Sequence, residues 1–465
     1  MASKSMQTTA TEYETLYEEV AGRVVALIEQ GTLKPGDKIP SVRRLHREWS
    51  VSVSTVLEAY RWLEDRGFVE ARPKSGYYVK LRLLPEEPRL ASPASRPREV
   101  RGSMAYRLMA EVNDPDLIKL GAAVPHPDLL PTRQITRLLS EEMRRRPSIS
   151  HGYIMASGHE PLRKEIARRM VGAGCTLGPR DIIVTSGAQE AVYLTLRALT
   201  HGKAGEAATV IVESPAYYGH LETLEVLGFR ALPVATDPRE GIELDALAEA
   251  LEAHDVCAML LVPNFSNPLG ASLGDEKKRA LLALASKHNV PIIEDDVYGE
   301  LAHDHVRPTA LKALDEEGLV YHCSSFSKTI SAGLRIGWVA PGEQLDRIAH
   351  LKLVTSVSSP GAAQLAVTRF LREGGYDRHL RRLRRTYQEN IARMTATIAS
   401  RFPSGTRVSR PAGGSLLWVE MPRGVDSMAL HDEALAEKIS IAPGPMFAVG
   451  QRYRRCMRLN ASLAW

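Results

Sequence analysis

Between residues 181 and 340 a short apolar run ending in small or polar residues recurs six times, as DIIVTSG, ATVIVESP, CAMLLVPN, NVPIIEDD, GLVYHCSS and GLRIGWVA. Apolar runs of this length, alternating with segments of helical periodicity, read as strands covered on both faces, which is the pattern of an α/β layer with a mostly parallel sheet. The predicted fold class of this region is therefore α/β. The pattern also says where chemistry belongs, because open parallel sheets build their sites at the carboxyl ends of their strands.

Read together, those ends are rich in chemistry. SSFSKTISAGLRIG presents Lys328 after a serine-rich turn and puts Arg335 seven residues later between Gly333 and Gly337. A lysine alone is usually a solvated surface charge, and one used for chemistry must be held on a stiff element and partly stripped of water. Ser186, Gly187, Ala188 and Gln189 follow one strand and open a helix. Such a turn aims N–H groups and the positive helix end at an anion. Tyr217 follows the strand end ESPA and offers a ring to stack on a flat ligand. Asn267, in PNFSNPLG, is placed to donate to a phenolate, with Tyr298 as a second partner, and Asp295 is placed to hold a pyridinium proton. Those are the needs of pyridoxal 5'-phosphate: an amine that condenses with its aldehyde (Lys328), a carboxylate for the ring nitrogen, partners for the ring hydroxyl, and a phosphate cradle from Ala188, Gln189, Ser325 and Arg335. Arg458, in CMRLN, would hold a carboxylate through a bidentate fork.

Residues 121–458 resemble the fold type I aminotransferases, with SxxK, NPxG, DDxxY and RxG in the family's order. HGYIMASGHEPLR adds Tyr153, Gly158 and Arg163 in register. The resemblance implies that Tyr153 reaches the cofactor phosphate of a neighbouring subunit, and hence a homodimer with shared sites. Two positions depart from the family: Ala123 stands where glycine often lies beside the substrate carboxylate, and the sequence ends seven residues after Arg458, where the family usually continues into a final helix. Looser packing of the small domain is the expected consequence.

The first 80 residues have a different character. Tyr13 to Gln30 has helical periodicity, with Val20, Val24, Leu27 and Ile28 on one side. KPGDKIPSVRRLHREW then gives a turn, an N-cap at Ser41 and a short helix carrying Val42, Leu45 and Trp49 inward. A third helix starts near Ser52, Ser54 and Thr55, and FVEAR and GYYVK, joined by Pro73, Lys74 and Ser75 with Gly76 following, read as a hairpin or wing. Through Lys80 the segment holds 12 Lys/Arg against 11 Asp/Glu, so it is not basic overall. Its basicity is focused: Lys34 to Arg47 carries five basic residues against Asp37 alone. That stretch would cross a phosphate backbone, with Arg43 and Arg44 as contacts, while the third helix enters a major groove.

The whole segment resembles the winged helix of GntR-type bacterial regulators, which implies double-stranded DNA as a partner and Ser41, Arg43, Arg44, Ser52, Ser54, Thr55, Lys74 and Gly76 as contacts. Val53 departs from that pattern, standing where the family usually has arginine.

Residues 81–102, with Pro85, Pro88, Pro93 and Pro97, are expected to form a semi-extended linker between a module at 1–80 and an aminotransferase-like domain at 103–465. An N-terminal winged helix-turn-helix joined to a fold type I PLP-dependent domain resembles the MocR/GabR regulators, and ARPKSGYYV and SIAPGPMF look most like the YdcR-like branch. The resemblance implies a regulator that senses a small amino compound; slow or no transamination is expected because the departures at Ala123 and at the final helix leave a substrate loosely held. The alternative is a working aminotransferase with an accessory DNA-binding module. The cysteines Cys175, Cys257, Cys323 and Cys456 show no metal-binding or disulfide spacing. No signal peptide or membrane-length apolar run is evident, so a cytoplasmic protein with no metal and no membrane partner is expected.

Overall fold

The computed structural model describes residues 15–464 other than 30, 31, 35, 66, 67, 73, 74, 81–84, 91, 94, 95, 101–107, 109, 156 and 201–207. The chain forms two compact units, one of residues 1–85 with 392–402 and one of residues 86–391 with 403–465.

In the smaller unit three helices, α1 (Leu16–Glu29), α2 (Val42–Trp49) and α3 (Val53–Asp65), precede two antiparallel strands, β1 (Val69–Arg72) and β2 (Gly76–Val79). Val20 and Val24 of α1, Leu45 of α2, and Val56, Tyr60 and Leu63 of α3 close on one core with Val69 and Val79. The helical spacing of these residues thus forms the module, and the strands finish its base. Ser41 caps α2, accepting from the Arg44 N–H at 3.3 Å. The Tyr60 hydroxyl donates to the Pro40 carbonyl and ties α3 to the preceding turn.

The larger unit is built on a nine-stranded sheet. Eight strands run in the order Arg98–Glu99, Arg230–Asp237, Thr209–Ser214, Ala258–Leu261, Ile292–Asp295, Val320–Ser325, Gly337–Ala340, Ile183–Thr185, and Gly241–Ile242 pairs beside Arg230–Asp237. The five strands from Arg230–Asp237 to Val320–Ser325 are parallel. Alternate residues face opposite layers: Val210, Val212, Leu260 and Ile293 pack with Val192 and Leu196, whereas Ile211, Met259 and Ile292 pack with Leu247 and Leu281. A four-stranded antiparallel sheet carries Arg458 on Cys456–Asn460.

Three features differ from the sequence reading. All six anticipated runs are strands, but Gly337–Ala340 is antiparallel to both neighbours. Residues 326–336 are too short a connection for a parallel crossover, which takes about a dozen residues or more. Arg230–Asp237 was not anticipated; Pro233 interrupts its pattern, yet it pairs through Pro233 with Val212. Finally, the segment expected as a semi-extended linker, 81–102, packs within the larger unit from Glu86 onward among the described residues. The Arg89 N–H donates to Glu420 at 2.9 Å, Arg98 and Glu99 pair with Ala231 and Arg230, and Val100 is buried. Pro88, Pro93 and Pro97 therefore lie along the larger unit rather than spanning open solvent, and residues 81–84 lie outside the described residues.

Candidate cofactor site and nucleic-acid interface

Lys328 follows the strand Val320–Ser325 in a turn anchored by buried Phe326. The next residue, Thr329, is gripped twice: the Tyr376 hydroxyl meets its Oγ1 at 2.9 Å and His379 Nε2 meets its carbonyl at 2.7 Å. The turn is thereby stiff, as a reactive lysine requires. Lys328 Nζ donates to the Ala123 carbonyl at 2.7 Å and lies 5.7 Å from the Tyr298 ring centre. Burial, aided by Arg458 and Arg335 and opposed by Asp295, lowers its pKa to about 8. About a tenth of this amine is then uncharged at pH 7, far more than of a surface lysine, and the amine is half neutral only near pH 8.

The amine opens into a cavity of about 510 Å³ whose wall includes Ala188, Gln189, Tyr217, Asn267, Asp295, Tyr298, Ser325, Lys328 and Arg335. Separate sequence regions therefore meet, as the strand-end reading required. Asp295 Oδ2 is 2.9 Å from His220 Nε2, while its Oδ1 is buried without a partner among the described residues. The Tyr298 hydroxyl is buried and unpaired in the same sense, and burial raises its pKa. Unpaired buried polar atoms are costly, and two on one cavity wall mark a place where a ligand completes the hydrogen bonding. Asn267 accepts from Arg458 Nη1 at 2.9 Å through its Oδ1, so what it offers the cavity is its amide donor. Burial raises Glu213, also near Asp295, to about 8 and keeps it largely neutral.

At the far end Gly187, with φ of 88°, begins the helix Ala188–Leu199. Arg335, itself at φ 52°, donates through Nη2 to the Ser186 carbonyl at 2.7 Å. A Cβ on Gly187 would lie 2.3 Å from that Nη2, and one on Gly337 would lie 2.5 Å from the Gly187 carbonyl carbon. Gly187 thus leaves room for the guanidinium beside the helix N-terminus, and Gly337 lets its strand approach the Gly187 backbone; the first-turn N–H groups there lack intrahelical partners. The result is an anion cradle.

Some predicted residues fall elsewhere. Gln189 lines the cavity, but its side-chain amide donates to the Gly219 carbonyl and Thr223 hydroxyl, leaving its backbone N–H as the group for an anion. Ser186 and Gly187 stand behind the wall rather than in it. Arg458 is fully buried behind Asn267, donating also to the Gly121 carbonyl. Asn460 Nδ2 donates to the Ala122 carbonyl at 2.7 Å, so residues 121–124 are stitched to the same strand and hold the Ala123 carbonyl over Lys328. Tyr153 is 77 % exposed and is not brought to its own cavity. His220 went unnoticed in the sequence, although its place three residues after Tyr217 puts both at one helix entry, with ring centres 5.1 Å apart.

A structural likeness covers 78% of this chain and 90% of LysN, an α-aminoadipate aminotransferase from Thermus thermophilus, with 27% identity and a TM-score of 0.71. Residues 115–463 match the family described as aminotransferase class I and II, and residues 16–79 match the bacterial regulatory proteins of the gntR family. The chain belongs to the MocR-type family. Two relatives match the MocR-type chain over almost their whole length. YjiR, an uncharacterized HTH-type transcriptional regulator of Escherichia coli (strain K12), is 39% identical over 451 residues, which is 97% of this chain and 95% of the relative. YdcR of the same organism, described in the same terms, is 38% identical over 450 residues, with the same two shares.

In the MocR-type winged helix, Arg43 and Arg47 are exposed on α2, whereas Arg44 is held by Glu48 at 2.7 Å. That pair is solvent-exposed and weak, so Arg44 is half-committed rather than lost. The Ser52 hydroxyl bonds to those of Ser54 and Thr55 at 2.8 and 2.7 Å, and Ser52 caps α3 by accepting from the Thr55 N–H. Gly76 opens the wing strand at φ 108°, with Lys38 3.3 Å from where its Cβ would stand. Lys74 lies outside the described residues.

Proposed function

We propose that this chain is a PLP-dependent transcriptional regulator that binds double-stranded DNA through residues 34–76 and senses a small amino compound in the Lys328 cavity. The observation that supports the reading is the unpaired Asp295 Oδ1 on the wall of the same cavity as Lys328, whose pKa is lowered, within a chain that also folds a winged helix. Pyridoxal phosphate supplies an aldehyde that captures primary amines and a ring that withdraws electrons once its nitrogen is protonated. Asp295 Oδ1 would hold that proton, with His220 fixing the carboxylate's orientation. Arg335 and the N–H groups of Ala188 and Gln189 would bind the phosphate, Tyr217 would cover the ring face, and Asn267 and Tyr298 would bond the ring hydroxyl. Arg458 does not line the cavity, and its Nη1 and Nη2 are engaged by Asn267 and the Gly121 carbonyl, so it would take the carboxylate of an amino-acid effector only by exchanging those partners for it.

In this reading the effector's amine replaces the Lys328 amine, and the released lysine regains a proton. The differing contacts of the two states bias the DNA-binding modules. Exposed Tyr153 completes the phosphate site of a second copy, which makes the working form a homodimer in the cytoplasm. Among the described residues no helix is long and apolar enough to cross a membrane.

The complete Lys328, Asp295 and Arg458 set also favours a second reading, a working aminotransferase. Footprinting upstream of the chain's own gene, with and without pyridoxal phosphate and candidate amines, separates the two. A protected site whose occupancy shifts with an amine supports regulation; no protection, together with steady keto-acid formation, supports the enzyme.

A further inference from the structure

α3 turns Val56, Ala59, Tyr60 and Leu63 inward, all with no exposed surface. Its outer face carries two apolar side chains in register: Val53 is 42 % exposed and Leu57, four residues on, is 38 % exposed. Residues four apart on a helix lie one above the other, so the two present a single stripe of methyl groups. The hydroxyls at the same helix entry are largely occupied with one another, Ser52 with Ser54 and Thr55, and with the cap of α3. The hydroxyls at the entry of α3 are therefore largely spent, and the exposed polar side chain left beside the stripe in these turns is Glu58, one residue past Leu57.

The surroundings restrict the partner. Lys34, Lys38, Arg43 and Arg47 are all exposed on the turn and helix before α3, so the methyl stripe is flanked by positive charge. The matching surface is anionic outside and carries methyl groups within, which describes a major groove with thymine: phosphates along the rim, C5-methyl groups on the floor.

Resting on the DNA-binding reading above, we propose that Val53 and Leu57 are specificity residues that recognise thymine C5-methyl groups in the operator, making methyl contact the main direct base readout of α3. Arg43, Arg47 and the wing then fix register on the backbone without distinguishing bases.

The test uses the full holo-protein and a random duplex library. Bound duplexes are selected, and each thymine of the selected site is replaced singly by deoxyuridine, which removes only the C5-methyl. At one or more positions the affinity of the unaltered protein should fall about fourfold, the transfer value of one methyl group. That loss should shrink or vanish in Val53→Ala or Leu57→Ala, because the coupling between protein and base methyls is gone. Both side chains are exposed, and an unchanged cofactor absorbance and circular dichroism spectrum check that the variants fold. Specific binding with no deoxyuridine effect at any position would overturn this proposal and leave DNA binding standing. Failure to enrich or bind any duplex would overturn both, and would leave the methyl stripe to a protein partner.

Discussion

Asp295→Asn keeps the shape of the side chain and removes its charge. In the folded protein Oδ2 is engaged by His220 at 2.9 Å, but Oδ1 is buried without a partner among the described residues, so its charge is poorly compensated until a ligand supplies a donor. The substitution therefore should act oppositely on the two forms. Without cofactor the protein should lose no stability, since a buried and incompletely paired charge is expensive to keep. With cofactor it should lose one charge-assisted hydrogen bond, about 1.5–3 kcal/mol, which corresponds to a cofactor affinity weaker by roughly 10- to 150-fold. Pyridoxal phosphate titration followed by near-visible absorbance measures the second effect, and thermal unfolding with and without cofactor measures the first. An Asp295→Asn variant that binds cofactor as tightly as the parent, with the same spectrum, would refute the reasoning and reduce Asp295 to a strand-end carboxylate.

Lys328 should carry the pyridoxyl group after borohydride reduction of the holo-protein, seen by peptide mass; an adduct on another lysine would sink the assignment. Because its folded pKa is depressed from 10.5 to about 8, capture of pyridoxal phosphate by the apoprotein should quicken as pH rises through about 8. The same shift means the unfolded chain holds more protons between those values, so this group's contribution to apoprotein stability should grow with pH across that window, checked by denaturant titration. Gly187→Ala puts a Cβ 2.3 Å from Arg335 Nη2 and should weaken binding of both pyridoxal phosphate and inorganic phosphate by calorimetry; unchanged affinities would remove Arg335 from the cradle. Arg43→Ala should weaken DNA binding across all sequences and make the slope of log affinity against log salt shallower by about 0.9; an unchanged slope would leave Arg43 a merely solvated charge.

The sheet and most of the cavity were legible in the sequence because strand-end residues carry both structure and chemistry. Lys328, Asp295, Asn267, Tyr217 and Arg335 each sit at the end of an apolar run or in the turn after it, and the parallel sheet brings those ends together. What the sequence hid depends on partners far along the chain. The pairing of Arg89 with Glu420 across 331 positions leaves no local pattern, so the proline-rich stretch read as a linker. Gln189 looked like a phosphate ligand because composition cannot show that Thr223 and Gly219 claim its amide. His220 escaped for the same reason, as its meaning appears only when Asp295 is beside it. The reversed direction of Gly337–Ala340 was in fact available, since the preceding connection is too short to cross back over the sheet.

In the proposed regulator one cavity controls one DNA-binding activity. Its most direct test is the affinity of the holo-protein for the DNA upstream of its own gene, measured across a panel of amino acids and amines while keto-acid formation is followed in the same samples. At least one compound should shift DNA affinity by about 5- to 150-fold, with transamination slow or undetectable. DNA affinity indifferent to cofactor and to every amine, alongside sustained turnover of about 1 per second or more, would contradict it.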